Sequence, residues 1–331
     1  MVTRIEGETA ACHPLLPPWM QRRKGETEKS LALKKWLKAR GLQTVCQSAG
    51  CPNLTECFQQ SFVTFLILGS TCTRRCRFCK VAKGDPLPVD PGETVRVAQA
   101  VQNLHLSHAV ITSVTRDDLP DGGAIHYYRT VREIRIRSKR TVVEVLVPDF
   151  LGTASSVEKV LEAGVDVFGH NVETVPRLYK MIRPEADFLR SLNVLRMAKK
   201  AGPATRIKSG LMLGLGETPD ELIETLKCLL DSGCDAVTLG QYLMPSRGSH
   251  PVHEFISPER FVQYRETALQ MGFRWVVSGP YVRSSYRANE CMDESPRDGQ
   301  FGSDRPLENG WSEKPGNPWG WLKESRHEQS V

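Results

Sequence analysis

The chain has 331 residues, 40% of them hydrophobic and 25% charged, with a formal net charge of +6. This is the composition of a globular protein and excludes collagen-like and fully disordered chains; the mild positive charge fits an acidic partner without demanding nucleic acid. The apolar runs are too short to span a bilayer and residues 1–30 hold no uninterrupted apolar core of a leader, so the expectation is a cytoplasmic protein without a membrane segment.

In chain order, residues 1–25 read as extended and loop-rich, and a helix is expected in "ETEKSLALKKWLKARGL", where apolar residues recur at helical spacing. The next segment is punctuated by Gly50, Pro52 and Asn53 and reads as loop and short helix. From residue 62 the pattern becomes regular. Apolar, β-branched runs at 62–69, 108–114, 141–148, 165–171, 206–214 and 236–243 alternate with amphipathic segments such as "GETVRVAQAVQNL", "SLNVLRMAKKAG" and "PDELIETLKCLLDSG". Continuous apolar strands joined by helices predict an α/β fold with a parallel sheet. Six such units in a row predict a partial (β/α)6 TIM-like barrel with its chemistry at the C-terminal ends of the strands. A doubly wound open sheet is the alternative. Residues 1–60 are expected to form an N-terminal extension, 61–272 the barrel, and 273–291 a C-terminal segment; 292–331, rich in Gly, Pro and polar residues, reads as a disordered tail.

Six of the ten cysteines fall between positions 46 and 79. Clustered thiols in a reducing compartment point to metal or redox chemistry rather than disulfides. Cys72, Cys76 and Cys79, in "CTRRCRFC", follow the first predicted strand, which puts them at the catalytic mouth of a barrel. The spacing lets one loop wrap three corners of a cuboidal iron–sulfur cluster and leaves one iron open. A zinc site would instead bring C-x2-C pairs and four ligands. Cys46, Cys51 and Cys57, in "CQSAGCPNLTEC", form another set of three outside the β/α pattern. Cys12, Cys228, Cys234 and Cys291 show no cluster spacing and read as ordinary thiols.

The C-x3-C-x2-C motif, with Phe78 before its last cysteine, resembles the radical S-adenosylmethionine superfamily. With "CPNLTECF", "ITSVTRDDLPDGGA", "SGLMLGLGE", "LGQYLMPSR" and "RSSY", the likeness extends over about residues 15–290, and the chain resembles the lipoyl synthase family in particular. The resemblance implies two 4Fe–4S clusters. One, on Cys72, Cys76 and Cys79, binds the amino and carboxylate groups of S-adenosylmethionine and cleaves it to a 5′-deoxyadenosyl radical. The other, on Cys46, Cys51, Cys57 and Ser285 of "RSSY", is an auxiliary cluster that is dismantled as a sulfur donor. A seryl oxygen is a harder, weaker partner for iron than a thiolate, which makes that iron easier to strip. Two ordinary hydroxyls in a terminal strand or loop are the competing reading of "RSSY".

For S-adenosylmethionine itself the resemblance points to Phe78, to Asp121 and the Gly122–Gly123 backbone, to Asn171 and Glu173 after the fourth strand, and to Gly214 in "GLMLGLGE". A helix cap made by Asn171 or Thr174 competes with the ligand reading there. Arg74, Arg75, Arg77 and Lys80 either favour thiolate over thiol or form a solvated basic rim for an acidic protein domain.

The reaction implied by the resemblance inserts two sulfur atoms at carbons 6 and 8 of an octanoyl chain on a lysine of a lipoyl carrier domain. The implied partners are octanoylated acyltransferase subunits of 2-oxoacid dehydrogenases, glycine-cleavage H protein, ferredoxin or flavodoxin as electron donor, and an iron–sulfur carrier for cluster repair. Another two-cluster radical enzyme, such as a methylthiotransferase or a biotin synthase relative, is the nearest enzymatic alternative. A zinc-binding adaptor or nucleic-acid module is the alternative of a different class.

Overall fold

A computed structural model describes residues 16–21, 25–286, 288 and 289. The expected tail and the thiols Cys12 and Cys291 lie outside the described residues.

A short turn at Pro18–Met20 leads to α1 (Glu28–Ala39), capped by the Thr27 hydroxyl, which accepts from the Ser30 N–H at 3.3 Å. β1 (Gln43–Thr44), α2 (Val45–Ser48) and α3 (Leu54–Gln59) carry the first cysteine triplet. β2 (Thr64–Ile67) is followed by a small ladder of β3 (Thr71–Cys72) and β4 (Ala82–Lys83), which brackets the second triplet. Then come α4 (Glu93–Asn103), β5 (His108–Ser113), α5 (Ala124–Arg137), β6 (Val142–Leu146), α6 (Ala154–Leu161), β7 (Val167–Gly169), α7 (Tyr179–Ile182) and α8 (Phe188–Ala201). β8 (Arg206–Leu213), α9 (Pro219–Asp231), β9 (Ala236–Gln241), α10 (Pro258–Met271) and β10 (Trp275–Gly279) complete the order. Local chemistry explains the sharper boundaries. α9 starts on a reciprocal Thr218–Glu221 capping box with Pro219 in its first turn, and α10 starts on Ser257 and Pro258.

The main sheet has the order β1-β2-β5-β6-β7-β8-β9-β10, with β1 antiparallel to β2 and every other neighbouring pair parallel. From β2 onward the spatial order is the chain order. A doubly wound sheet requires a reversal of strand order at a switch point, and there is none, so the expected barrel-type order holds and the doubly wound alternative does not. Curling is also visible in side chains: Lys208 of β8 and Glu144 of β6 meet at 2.7 Å across the intervening β7. The sheet adds two strands to the six expected, the antiparallel β1 at one edge and β10 at the other. Trp275–Gly279 pairs parallel with β9, although so short a run beside Gly279 and Pro280 carries little strand signal of its own.

Alternation along the strands separates two faces. Phe65, Ile67, Ala109, Ile111, Val143, Val145, Val237 and Leu239 join the helix-packed core. Their neighbours Thr64, His108, Glu144, Lys208 and Thr238 are buried polar residues on the other, concave face. No helix among the described residues is long and apolar enough to cross a membrane.

Candidate active site

A cleft of about 1790 Å³ opens on the concave side of the sheet and is lined by residues from both triplets, Cys46, Cys51 and Cys79. Leu146 and Gln241, the last residues of β6 and β9, place it at the C-terminal ends of the strands. Beside it, a cavity of about 30 Å³ is lined by Cys46, Cys51, Cys57, Thr64, His108 and Ser285. The fold therefore brings "RSSY" to the first triplet, and three contacts hold it there. Thr64 Oγ1 donates to Ser285 Oγ at 2.8 Å, the Tyr286 hydroxyl donates to Glu56 of α3 at 3.0 Å, and Asn53 Nδ2 donates to the Tyr281 carbonyl at 2.6 Å.

Gly240 makes this crossing possible: a Cβ there would lie 2.1 Å from the Val282 carbonyl oxygen. Gly240→Ala is expected to lift 282–285 off β9 while leaving the barrel folded. Anaerobically purified, the variant should fall from about eight irons per chain towards about four, counting two four-iron clusters in the wild type. A full complement of iron would show that the segment contributes no ligand.

The thiols are free and close enough to oppose one another's ionisation. Burial, aided by Cys51, pushes the Cys46 thiol up to about 11. Burial does the same to Cys79, again to about 11, with Cys76 and Cys72 adding to the rise. Cys76 is also raised by burial, opposed by the Arg183 guanidinium. Bound iron reverses this, because coordination deprotonates a thiol outright. Three thiols and a hydroxyl around one cavity, and three thiols in one loop, are donor sets that fit iron–sulfur clusters. Among the described residues no group of His, Cys, Asp or Glu is gathered to hold a single metal ion.

The loop of the second triplet is fixed from below. Leu68 adopts a left-handed conformation, φ 67°, a strained state for a residue with a Cβ. Its N–H donates to Glu93 Oε2 at 2.8 Å, and its carbonyl accepts from Arg116 at 3.2 Å. Glu93 is held in turn by His126 at 2.8 Å. Arg74 departs from the expectation of a thiolate-favouring or solvated cation. It is buried and donates to both oxygens of Asp117, at 2.7 and 2.8 Å, and to the buried Asp149 at 2.6 Å. Arg75, Arg77 and Lys80 remain exposed. The guanidinium that opposes Cys76's rise is instead Arg183, just after α7, which donates to the carbonyls of Asn171 and Val172 at 3.1 Å. Nothing in "MIRPEAD" marks it, because its role depends on contacts across the fold.

Of the residues expected near S-adenosylmethionine, Phe78, Asn171 and Glu173 line the cleft. Asn171 Nδ2 donates to Glu173 Oε1 at 3.1 Å and also to the Ser284 hydroxyl; neither Asn171 nor Thr174 caps a helix. Glu173 sits at φ 67°, and burial raises its carboxyl against the opposing pull of Arg183. Asp121, Gly122 and Gly214 are not among the residues lining the cleft. The Asp121 carboxylate accepts from the N–H groups of Gly123 and Ile125, at 2.9 and 2.7 Å, and so organises the start of α5. Gly214, φ 89°, is needed for its conformation and for the Glu254 carbonyl, which a Cβ would approach to 2.2 Å. Sequence reasoning missed Gly240, Thr64 and Arg183. Cys228 lies on α9, and Cys234 is buried against the carbonyls of Ile207 and Ala236, away from both triplets.

Beneath the cleft, His170 is buried with Nδ1 2.9 Å from the Val147 carbonyl oxygen. Burial, with Arg183 adding, pushes it down from 6.5 to about 4. The unfolded chain therefore takes up the proton first as pH falls, and folding loses stability through the window from 6.5 down to 4. Denaturant titrations at pH 7 and pH 5 should differ by about 2 kcal/mol from this group. His170→Gln should remove most of that difference; an unchanged difference would assign it to other groups.

Comparison with known proteins agrees with this arrangement. The Radical SAM superfamily matches residues 66–229. The chain is 52% identical over 257 residues to lipoyl synthase of Caldanaerobacter subterraneus subsp. tengcongensis, covering 78% of this chain and 90% of that protein. It is 53% identical over 272 residues to lipoyl synthase of Geobacter metallireducens, covering 82% and 95%. Among solved structures, Streptococcus suis SuiB bound to S-adenosylmethionine superposes with a TM-score of 0.50 at 11% identity, over 68% of this chain and 53% of that one, a likeness of fold. At half-identity over nearly the whole length of these relatives, the chain belongs to the lipoyl synthase family.

Proposed function

We propose that the chain makes lipoyl groups, holding the cluster that binds S-adenosylmethionine with Cys72, Cys76 and Cys79 and an auxiliary 4Fe–4S cluster with Cys46, Cys51, Cys57 and Ser285. The observation that most supports this reading is the convergence of the first three thiols and Ser285 on one small cavity beside the cleft that Cys79 also lines. When bound, the clusters and S-adenosylmethionine supply a carbon radical able to take hydrogen from unactivated methylenes, and the sulfur that enters at carbons 6 and 8 of an octanoyl chain.

Hydrogen-atom abstraction needs no acid, base or nucleophile from the protein, so the work of its residues is positional. Met212, Tyr242, Met244, Val252 and Phe255 give the cleft apolar walls that keep water from a reactive intermediate and suit an alkyl chain. Phe78 lies against the same apolar patch as Met212 and Met244, offering a flat surface beside the second triplet. Asn171 and Glu173 present a paired amide and carboxyl to the cleft, and Arg183 fixes the backbone that carries Asn171. Thr64 directs the Ser285 oxygen through its hydrogen bond.

The octanoyl chain arrives on a lysine of a lipoyl carrier domain, either an octanoylated acyltransferase subunit or glycine-cleavage H protein. Ferredoxin or flavodoxin as electron donor, an iron–sulfur carrier to rebuild the auxiliary cluster, and a cytoplasmic address belong to the same proposal. An octanoyl-lysyl peptide given to anaerobically reconstituted protein should yield lipoyl-lysine. Normal cleavage of S-adenosylmethionine without that product would favour a methylthiotransferase or biotin synthase relative.

A further inference from the structure

Five exposed cations lie on two loops that contribute walls to the cleft: Arg75, Arg77, Lys80 and Lys83 in and after the second triplet, and Arg247 in the loop after β9. Lys80 and Arg247 line the cleft directly. The two loops are joined, since the His250 N–H donates to the Arg77 carbonyl at 3.0 Å and the Arg77 N–H donates to the Ile182 carbonyl at 2.8 Å. The cations are therefore presented on one tied surface.

None of the five forms an ion pair with a carboxylate among the described residues. Lys83 donates only to the Cys76 carbonyl, at 3.2 Å. Three carboxyls line the cleft itself, and each has a partner of its own: Glu26 pairs with Lys34, Glu56 accepts from the Tyr286 hydroxyl and Glu173 accepts from Asn171. Glu185 accepts from the backbone N–H of Arg75 at 3.2 Å, and Asp85 follows β4 in the chain. Ion pairs form on other parts of the surface, as in Arg96–Asp90 at 2.5 Å, Arg177–Glu221 at 2.6 Å and Lys159–Glu162 at 2.5 Å, but exposed cations such as Arg129, Arg140 and Lys200 form none among the described residues either; what sets the rim apart is its place beside the cleft. An excess of unpaired cations beside a cleft focuses a positive potential there and draws in an oppositely charged surface.

We propose that this rim is the docking surface for an acidic face of the protein domain that delivers the acyl-lysine. The inference rests on the functional reading above. An acyl chain tethered through a lysine reaches the cleft only if the body of its carrier comes to rest on the rim. Complementary charge there sets the approach and register of the carrier, while the chain itself binds in the apolar cleft.

The test is the affinity of the full-length holoprotein for an octanoylated carrier domain with an acidic face, measured by calorimetry at about 50 mM and about 300 mM salt. Wild type should bind more weakly at the higher salt. Arg75→Glu/Arg77→Glu should weaken binding at low salt by about tenfold or more and flatten the salt dependence, whereas Arg75→Lys/Arg77→Lys should keep both. A charge-reversed variant within about twofold of wild type overturns the docking surface. Conversion of a short octanoyl-lysyl peptide by wild type is measured alongside. Its success with unchanged carrier affinity rejects the rim alone, and its failure overturns the functional reading and the rim with it.

Discussion

Cys76→Ala is expected to abolish formation of 5′-deoxyadenosine, while Cys51→Ala leaves that cleavage largely intact and removes sulfur insertion. The asymmetry follows from where the thiols lie. Cys76 shares a loop and an electrostatic environment with Cys72 and Cys79, next to Arg183 and Glu173. Cys51 lines the small cavity with Cys46, Cys57, Ser285 and Thr64, and is coupled electrostatically to Cys46. On the proposed assignment the second triplet supplies three protein ligands, so losing one would remove the cluster that reduces S-adenosylmethionine. On the same assignment, loss at the first triplet would remove only the sulfur source, so each variant should retain about four of about eight irons. Quantifying 5′-deoxyadenosine, lipoyl product and iron in both proteins checks the assignment. Identical behaviour of the two variants would contradict it.

Glu144→Ala is expected to destabilise the fold by about 3–5 kcal/mol, a large share of the ~5–15 kcal/mol that holds a typical domain together. Glu144 is 2% exposed on the concave face. It accepts from Lys208 Nζ at 2.7 Å and lies 3.2 Å from His108 Nε2. Lys208, equally buried, also lies 5.1 Å from the Trp275 ring. Burial alone would push the Glu144 carboxyl up, but the Lys208 ammonium and His108 outweigh it, and the group sits below the ordinary carboxylate range. Its contribution is therefore present above the pKa of the unfolded chain and lost as pH falls through the lower folded value.

Removing the carboxylate strands a buried ammonium, and that is the source of the cost. Glu144→Leu combined with Lys208→Met replaces both charges with apolar groups and should recover most of the loss. Denaturant titration of the single and double variants decides the matter. A single variant as stable as wild type would mean that water reaches Lys208.

The β/α rhythm was legible because each strand is a short, mostly apolar and β-branched run between amphipathic helices, even though the concave face carries buried polar residues such as Thr64, Glu144 and Lys208. β10 was not, since Trp275–Gly279 is short and gains its place only by pairing with β9. The cysteine triplets were legible as spacings. Their relation was not readable from residue types alone, because Ser285 reaches Cys46 through Thr64 and through a crossing that Gly240 permits. Arg74 read as one of four like cations beside the cysteines, yet its partners Asp117 and Asp149 come from the loops that follow β5 and β6. Asp121 and Gly214 sit in motifs that resemble ligand sites, whereas their atoms organise a helix start and a close backbone approach. Local sequence records which residues are available; which of them face the cleft is decided by strand order and loop crossings.

The most direct test of the two-cluster account is a single turnover with octanoyl-lysyl peptide, S-adenosylmethionine and a reductant, with no added iron or sulfide, using protein whose cluster sulfide carries a heavy sulfur isotope. The account predicts labelled lipoyl product, at most about one per chain, with about two molecules of 5′-deoxyadenosine for each, one for each carbon–hydrogen bond broken. Lipoyl product without the label, or 5′-deoxyadenosine with no lipoyl product, would contradict it.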